Sequence, residues 1–307
     1  MTEQSDDALA RLLAPEDPDV FLERMQQGAP LCLAPTDRPR IDFDVTGLDR
    51  ALESQRLTPG RIKVVKDGYF VPDASLLEPV APRTAASSGA PRALRLNPTG
   101  ISEALADGGT LVVNCVDELF PEVDAPLRAL ERRLDAYQAN ANLYATWGDH
   151  KGFDLHVDQH DGVIVQVSGA KAWYLFSPST DVAALQRQPL EVVQRSTDLA
   201  QVVELRAGAL LFLPRGTPHF AQPLADHSFH LTLTYPRPTL ADFVRWTLGQ
   251  PEAGAEVEQV LDRLGGASAA AALVARLHGA HGSTLVDRFF DEVREGARNR
   301  PEVRLFS

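Results

Sequence analysis

Cysteine is scarce in this chain. Two of its 307 residues are cysteines, Cys32 and Cys115, and they form no Cys-x-x-Cys pair. A thiolate metal site is therefore not expected. Both residues stand in apolar runs, PLCLA and VVNCV, which predicts buried, small hydrophobic side chains.

Long hydrophobic runs and a basic leader are also missing. No apolar run approaches the ~20 residues that a membrane-spanning helix needs. The first ten residues, MTEQSDDALA, are acidic, whereas a secretory signal begins with basic residues. With so little cysteine, these features predict a protein of the reducing cytoplasm that has no membrane partner.

Basic residues are fewer than acidic residues. Thirty Lys and Arg residues face 42 Asp and Glu residues, so the formal net charge is −12 at pH 7. Because such a chain is repelled by phosphate backbones, nucleic acid is not expected as the main ligand. The 44% hydrophobic and 23% charged content is that of an ordinary globular protein with a sizeable core.

The order of patterns predicts an α+β fold with a mainly β core. The first 58 residues look mostly helical, and Asp67-Gly68 predicts a hairpin turn. Residues 79–92 are rich in Pro, Ala, Ser and Gly, which predicts a loop or linker. EVDAPLRALERRLDAYQAN is predicted to be an amphipathic helix, and the chain is predicted to be helical again from residue 239.

The central region is rich in short strand patterns. Seven of them between residues 140 and 237 predict an antiparallel sandwich or barrel: NANLYATW, FDLHVDQH, GVIVQVSG, AWYLFSP, VVELRAG, ALLFLP and FHLTLTYP.

The stretch FDLHVDQHDG concentrates imidazole and carboxylate groups. In a strand alternate side chains share a face, so His156, Asp158 and His160 are expected to point the same way. A His-x-Asp pair on one face can bind a single metal ion. A third ligand has to come from another part of the chain.

GALLFLPRGTPHFAQ is the expected source of that ligand. A strand there runs into a turn that is expected to present His219, about sixty residues after Asp158. Two histidines and one carboxylate with open coordination positions are typical of non-haem Fe(II) sites that activate oxygen. This spacing also suits a double-stranded β-helix, whose barrel mouth carries the ligands.

The segments NLYATWGDHKGFDLHVDQHDGVIVQVSGAKAWYLFSP and GALLFLPRGTPHFA together resemble a JmjC-domain oxygenase. More narrowly, they are similar to the cupin-4 or ribosomal-oxygenase-like branch, over about residues 97–237. The resemblance implies a double-stranded β-helix of the cupin/JmjC type. It also implies Fe(II) held by His156, Asp158 and His219, with 2-oxoglutarate as co-substrate and O₂ as oxidant.

The resemblance implies further residues of the pocket. In this branch a basic residue in the strand after the His-x-Asp binds the distal carboxylate of 2-oxoglutarate, and Lys171 has the matching position. Asn142 and Tyr144 match positions that line the same pocket, and a structural role is equally open for them. His160 is assigned to the substrate side or to orienting a ligand, and His230 to a structural role.

The implied activity is hydroxylation of a C–H bond, in an amino-acid side chain of a protein or peptide. A free amino acid or a natural-product intermediate as substrate, and a metal-binding cupin without oxygenase activity, stay open as alternatives. We expect an N-terminal helical and hairpin region at 1–96, a catalytic domain at 97–238 and a helical region at 239–307. The last could serve dimerisation or form a winged helix, and the partner would then be a second copy of the chain.

Overall fold

The computed structural model describes residues 2–43, 46–48, 50, 59–80, 94–148, 150–249 and 282–298. The chain divides into two compact units. The first comprises residues 1–129 and 140–234, and the second comprises residues 130–139 and 235–307. The domain boundaries expected at 96/97 and 238/239 remain predictions.

The first unit is built on a ten-stranded sheet. Its strands are β1 (Leu31–Leu33), β2 (Ile62–Lys66), β3 (Tyr69–Phe70), β6 (Thr110–Val113), β7 (Asn140–Trp147), β8 (His156–Val157), β9 (Asp161–Phe176), β10 (Leu199–Arg206), β11 (Leu210–Leu213) and β12 (Pro218–Tyr235). The main path of the sheet runs β1-β11-β9-β12-β7-β6-β2-β3, with β10 beside β9 and β8 beside β12. A separate pair consists of β4 (Leu77–Pro79) and β5 (Leu94–Leu96).

The two long strands change partners along their length. Residues 162–165 of β9 pair with β11, and residues 170–176 pair with β10. The start of β12 pairs with β8, and residues 227–234 pair with β7. These pairings are antiparallel. The α+β class with a mainly β core is confirmed.

The first unit also contains helices, and helices make up most of the described second unit. Their bounds are α1 (Thr2–Leu13), α2 (Pro18–Gln26), α3 (Asp73–Leu76), α4 (Pro98–Ala106), α5 (Pro121–Arg133), α6 (Val182–Leu185), α7 (Leu190–Val193), α8 (Leu240–Gly249) and α9 (Gly282–Arg298). α2 begins at Pro18, where the preceding Asp17 caps it: the Asp17 carboxylate accepts a hydrogen bond from the backbone N–H of Asp19 at 2.9 Å.

The predicted hairpin is present. Asp67 and Gly68 connect β2 to β3 with φ angles of +50° and +82°, which a turn of this kind requires at both central positions. The N–H of Gly68 donates to the carbonyl of Gly152 at 2.9 Å. The hairpin tip is thereby fixed to the segment that leads into β8.

Buried Arg40 connects the N-terminal segment to the sheet. Its guanidinium donates to the carbonyl oxygens of Leu12, Ala14, Ala34 and Gly208 at 2.6–2.7 Å. A planar fork of donors suits such a cluster of acceptors. The residue is 2% exposed, so the carbonyls have little access to water as a substitute partner.

Some predicted strands and helices have different limits. Of FDLHVDQH only His156–Val157 is a strand, while GVIVQVSG and AWYLFSP form the single strand β9. The helix predicted through residue 140 ends at Arg133, because Asp135 adopts a left-handed conformation with φ of +47°.

The prediction of two buried cysteines was wrong. Cys32 is exposed and Cys115 is partly exposed. Cys32 lies on β1, a three-residue strand at the end of the main sheet path, where one flank has no neighbouring strand in the described part of the chain. The apolar neighbours of a cysteine in sequence therefore did not determine its exposure.

The described part of the second unit has its own core. Phe243, Phe289 and Val293 form a buried cluster, and Arg294 pairs with Asp135 through Nε at 2.6 Å and Nη2 at 3.0 Å. No helix within the described ranges is both long and apolar enough to cross a bilayer. Residues 250–281 of the predicted C-terminal helical region and most of the predicted 79–92 loop lie outside the described residues, and the winged helix remains a prediction.

Candidate metal centre

His156, Asp158 and His219 converge in the first unit. One ligand atom from each lies within 4.8 Å of the other two. Asp158 bridges the two rings, with Oδ1 3.8 Å from Nε2 of His156 and Oδ2 3.8 Å from Nε2 of His219. Two imidazole nitrogens and one carboxylate at such separations can coordinate one divalent cation from one side.

Backbone carbonyls set the tautomer of both histidines. Nδ1 of His156 lies 2.7 Å from the carbonyl oxygen of Asp154, and Nδ1 of His219 lies 2.9 Å from that of Thr217. A carbonyl can only accept, so each Nδ1 carries the proton and donates. The lone pair of each ring is therefore on Nε2, the atom that faces Asp158, which is the form that a metal ligand needs.

Pairing between β8 and β12 brings the two histidines together. His156 and His219 are register partners, and their ring centroids are 4.4 Å apart. The sequence predicted that the turn would present His219. In the structure His219 is instead the second residue of β12, directly after that turn. The turn itself is closed by the N–H of Thr217, which donates to the carbonyl of Pro214 at 3.2 Å, and Gly216 supplies the positive φ of +81°.

A cavity of about 180 Å³ surrounds this cluster. All six residues predicted for the site line it: Asn142, Tyr144, His156, Asp158, Lys171 and His219. His160 and His230 line it too, although neither belongs to the three-residue ligand cluster. The cavity is mixed in character, since Phe153, Ile164, Trp173 and Leu213 contribute apolar wall.

Lys171 is the buried cation of this cavity. It is 5% exposed, and its Nζ lies 3.4 Å from Oγ1 of Thr146. Desolvation lowers the pKa of its ammonium group from 10.5 to about 7. An ammonium group that has lost its water and lies beside a cavity favours an anionic ligand that would restore the lost interactions.

The buried histidines of the cavity are neutral at pH 7. Burial, reinforced by the nearby His156, lowers the pKa of His219 to about 4. Burial and the charge of Lys171 hold the pKa of His230 well below its ordinary value. A neutral imidazole at 219 is the state that binds a metal without first releasing a proton.

An aromatic stack lies beside Lys171. The ring of Tyr144 packs flat on that of His230, with centroids 4.9 Å apart and an interplanar angle of 4°. Burial, and then the charge of Asp158, raise the pKa of Tyr144 to about 12, so its phenol stays protonated. Trp173 packs edge-on against His230 at 5.4 Å. These contacts hold the cavity wall in shape.

Two threonines of the site were missed by the sequence analysis. The hydroxyls of Thr110 and Thr146 are 3.0 Å apart, and the Thr146 hydroxyl is the neighbour of Lys171. Strand alternation could have found Thr146, since residues 142, 144 and 146 share one face of β7. Gln166 donates to Ser168 and Ser228 and does not line the cavity.

Residues 122–243 match the family model described as the JmjC domain. Ribosomal oxygenase 1 of Gallus gallus is 37% identical over 111 residues, which cover 34% of this chain and 18% of that protein. The bifunctional lysine-specific demethylase and histidyl-hydroxylase NO66 of Drosophila persimilis is 33% identical over 95 residues, 31% of this chain and 14% of that protein. The chain thus matches less than a fifth of the length of either relative.

Among solved structures, YcfD, a ribosomal oxygenase from Escherichia coli, is 16% identical, with a TM-score of 0.47 over 94% of this chain and 68% of that chain. The family match covers β7 through β12, the strands that carry the ligand cluster. This segment is similar to JmjC domains, and the chain is similar to ribosomal oxygenases.

Proposed function

We propose that this protein is an Fe(II)- and 2-oxoglutarate-dependent dioxygenase that hydroxylates an amino-acid side chain in a protein or peptide. The observation that carries the proposal is the convergence of His156, Asp158 and His219 within 4.8 Å, inside a cavity that also contains buried Lys171. The proposed metal ligands and the proposed anion-binding ammonium thus line the same cavity.

The donor set fits ferrous iron. Two neutral imidazoles and a carboxylate suit Fe(II), and the 38% exposure of the Asp158 side chain leaves the cluster open toward the cavity. Bound iron would supply activation of O₂ coupled to decarboxylation of 2-oxoglutarate to succinate and CO₂. The chain's own contribution is to hold three ligands with the correct tautomers and to shield the site behind apolar wall.

Lys171 is proposed to bind the distal carboxylate of 2-oxoglutarate. Its ammonium offers three donors, and the Thr146 hydroxyl lies beside it. Asn142 and Tyr144 are proposed as further groups of this subsite. Oδ1 of Asn142 accepts from the N–H of Cys115 at 3.0 Å, and the Asn142 side chain also hydrogen-bonds the Tyr144 hydroxyl, so the two polar groups are held together.

Names of relatives support a polypeptide as the substrate class. They are called ribosomal oxygenases and, in one group, histidyl-hydroxylases. A free amino acid or a natural-product intermediate is the alternative substrate class. A homodimer and a cytoplasmic location remain predictions.

The first experiment tests the chemistry without a known substrate. Anaerobic addition of Fe(II) and then 2-oxoglutarate to the purified protein should produce a weak visible charge-transfer band. Asp158→Ala should abolish the band, whereas Asp154→Ala should retain it, because Asp154 pairs with Lys151 and contributes only its backbone carbonyl to His156. A wild-type protein that binds the metal without the band would favour a cupin that is not an oxygenase.

The second experiment tests the substrate class. The enzyme is incubated separately with a peptide digest of a cell extract and with a pool of free amino acids and metabolites. We expect a mass gain of one oxygen in the peptide pool that depends on 2-oxoglutarate and is lost in Asp158→Ala. A gain confined to the small-molecule pool would contradict the polypeptide proposal.

A further inference from the structure

Two hydrogen bonds connect the His-x-Asp segment to the turn that precedes His219. The N–H of Gly216 donates to the backbone carbonyl of Asp158 at 2.9 Å. The N–H of Arg215 donates to Oδ1 of Asp161 at 2.9 Å. Both donors belong to the Pro214–Thr217 turn, and both acceptors belong to the segment that carries Asp158.

Asp161 is the one side chain in this connection. It is the first residue of β9 and is 1% exposed, although it carries a carboxylate. A buried charge of this kind is retained only where it is hydrogen-bonded. Although a carboxylate can bind a metal, Asp161 is not part of the candidate ligand cluster of His156, Asp158 and His219.

The connection reaches a metal ligand through the turn. Thr217, two residues after Arg215, offers the carbonyl that accepts from Nδ1 of His219 and so orients the imidazole. Displacing the turn would therefore rotate or shift His219. It would also loosen Asp158, whose backbone is held by the next N–H of the same turn.

We propose that Asp161 is a positioning residue that sets the placement of His219 relative to Asp158, and through it the affinity of the site for a divalent metal. This inference rests on the proposed metal centre. It assigns Asp161 no contact with metal, co-substrate or substrate. The acting feature is its carboxylate oxygen as an acceptor for the Arg215 N–H.

The test is titration of the metal-free full-length protein with Co(II), followed by its visible absorption bands. Loss of a group that orients metal ligands typically costs 10–100-fold in metal affinity, and we expect that range for Asp161→Ala. Asp161→Asn keeps an acceptor oxygen and should restore affinity to within a few-fold of the wild type. The Co(II) bands of Asp161→Ala should also be altered.

Asp117→Ala is the matched control. Asp117 is also buried, at 5% exposure, and its Oδ1 accepts from the backbone N–H of Ala141 on β7 at 2.8 Å, whereas Asp161 accepts from the turn before His219. Its loss should lower the melting temperature without changing Co(II) affinity. Equal loss of affinity in Asp117→Ala and Asp161→Ala would overturn the proposal, because the effect would then be general destabilisation.

Arg215→Pro removes the same hydrogen bond from the donor side. Residue 215 is the second residue of a turn whose third residue, Gly216, has a positive φ, and proline is favoured at that position. If Asp161→Ala does not fold, Arg215→Pro tests whether this hydrogen bond sets the metal affinity. Unchanged Co(II) affinity in folded Arg215→Pro, or weak binding in folded Asp161→Asn, would sink the proposed role. Absence of Co(II) binding in the wild type would instead contradict the metal centre itself.

Discussion

His156 and His219 lie more than sixty residues apart in sequence, yet they face each other as register partners across the β8–β12 pair, with ring centroids 4.4 Å apart. Asp158 lies between their Nε2 atoms. The candidate metal site is therefore a product of strand pairing. It forms only when β8 pairs with β12.

Replacing His219 should remove metal binding and succinate formation together. His219→Ala leaves two ligands from one short segment, so Co(II) or Fe(II) affinity should fall by at least about tenfold. His227→Ala is the control, since His227 lies on the same strand and its Nε2 contacts Ser168 Oγ at 2.7 Å, away from the cavity. A metal titration measures the affinity of each variant, and a succinate assay measures its turnover. Normal turnover in His219→Ala would contradict the ligand set.

Binding of 2-oxoglutarate should weaken as pH rises. Lys171 is charged below its lowered pKa of about 7 and neutral above it, so the free site loses its cation as pH rises through 7. The dicarboxylate favours the charged form, and its apparent Kd should therefore rise by up to about tenfold per pH unit above 7. Calorimetry between pH 6.5 and 8.5 would show this rise together with proton uptake.

Lys171→Met should bind 2-oxoglutarate weakly at every pH in that range and retain its metal affinity. Lys63→Met is the control, because Lys63 lies over the ring of Phe70 rather than in the cavity. A Kd that stays flat with pH in the wild type, or an unchanged Kd in Lys171→Met, would refute the proposed anion-binding role.

Arg40→Leu should destabilise the first unit. The change leaves four buried or partly buried carbonyls without their donor, and we expect a loss of at least about 3 kcal/mol in the free energy of unfolding. Arg40→Lys should rescue little, because one ammonium cannot reproduce the fork. Urea unfolding measures both. Arg206→Leu, which removes a surface pair with Glu204, should change stability by no more than about 0.5 kcal/mol.

Gly169→Ala should also unfold more easily. Gly169 has φ of +68°, and a Cβ there would lie 1.9 Å from the carbonyl oxygen of His227, where β9 and β12 meet. Strain and clash together should cost at least about 2 kcal/mol. Gly28→Ala separates the backbone strain from the clash, because Gly28 has φ of +71° but open space around it. That substitution should cost about 1 kcal/mol of stability. Similar losses in both variants would show that the clash is relieved.

Local chemistry explains what could be predicted from the sequence. Strand alternation predicted that His156 and Asp158 share one face, and Asp67-Gly68 predicted the turn between β2 and β3. Asn142, Tyr144 and Lys171 were implied only by the family resemblance. The strand predicted over FDLHVDQH was too long, because only His156 and Val157 find a pairing partner, in β12. His156, Asp158 and His160 all line the cavity, although only His156 belongs to a strand.

The residues by themselves determined the β-rich core, the pair His156 and Asp158 as neighbouring donors, and His219 as a candidate third ligand, since these follow from side-chain chemistry and strand periodicity. Only the tertiary structure decided that the three meet within 4.8 Å, that both rings present Nε2, and that Lys171 loses its water beside them. The physical reason is that distance, tautomer and desolvation depend on contacts between segments far apart in the chain. Exposure of Cys32 is set in the same way, by the position of β1 at the end of the sheet path.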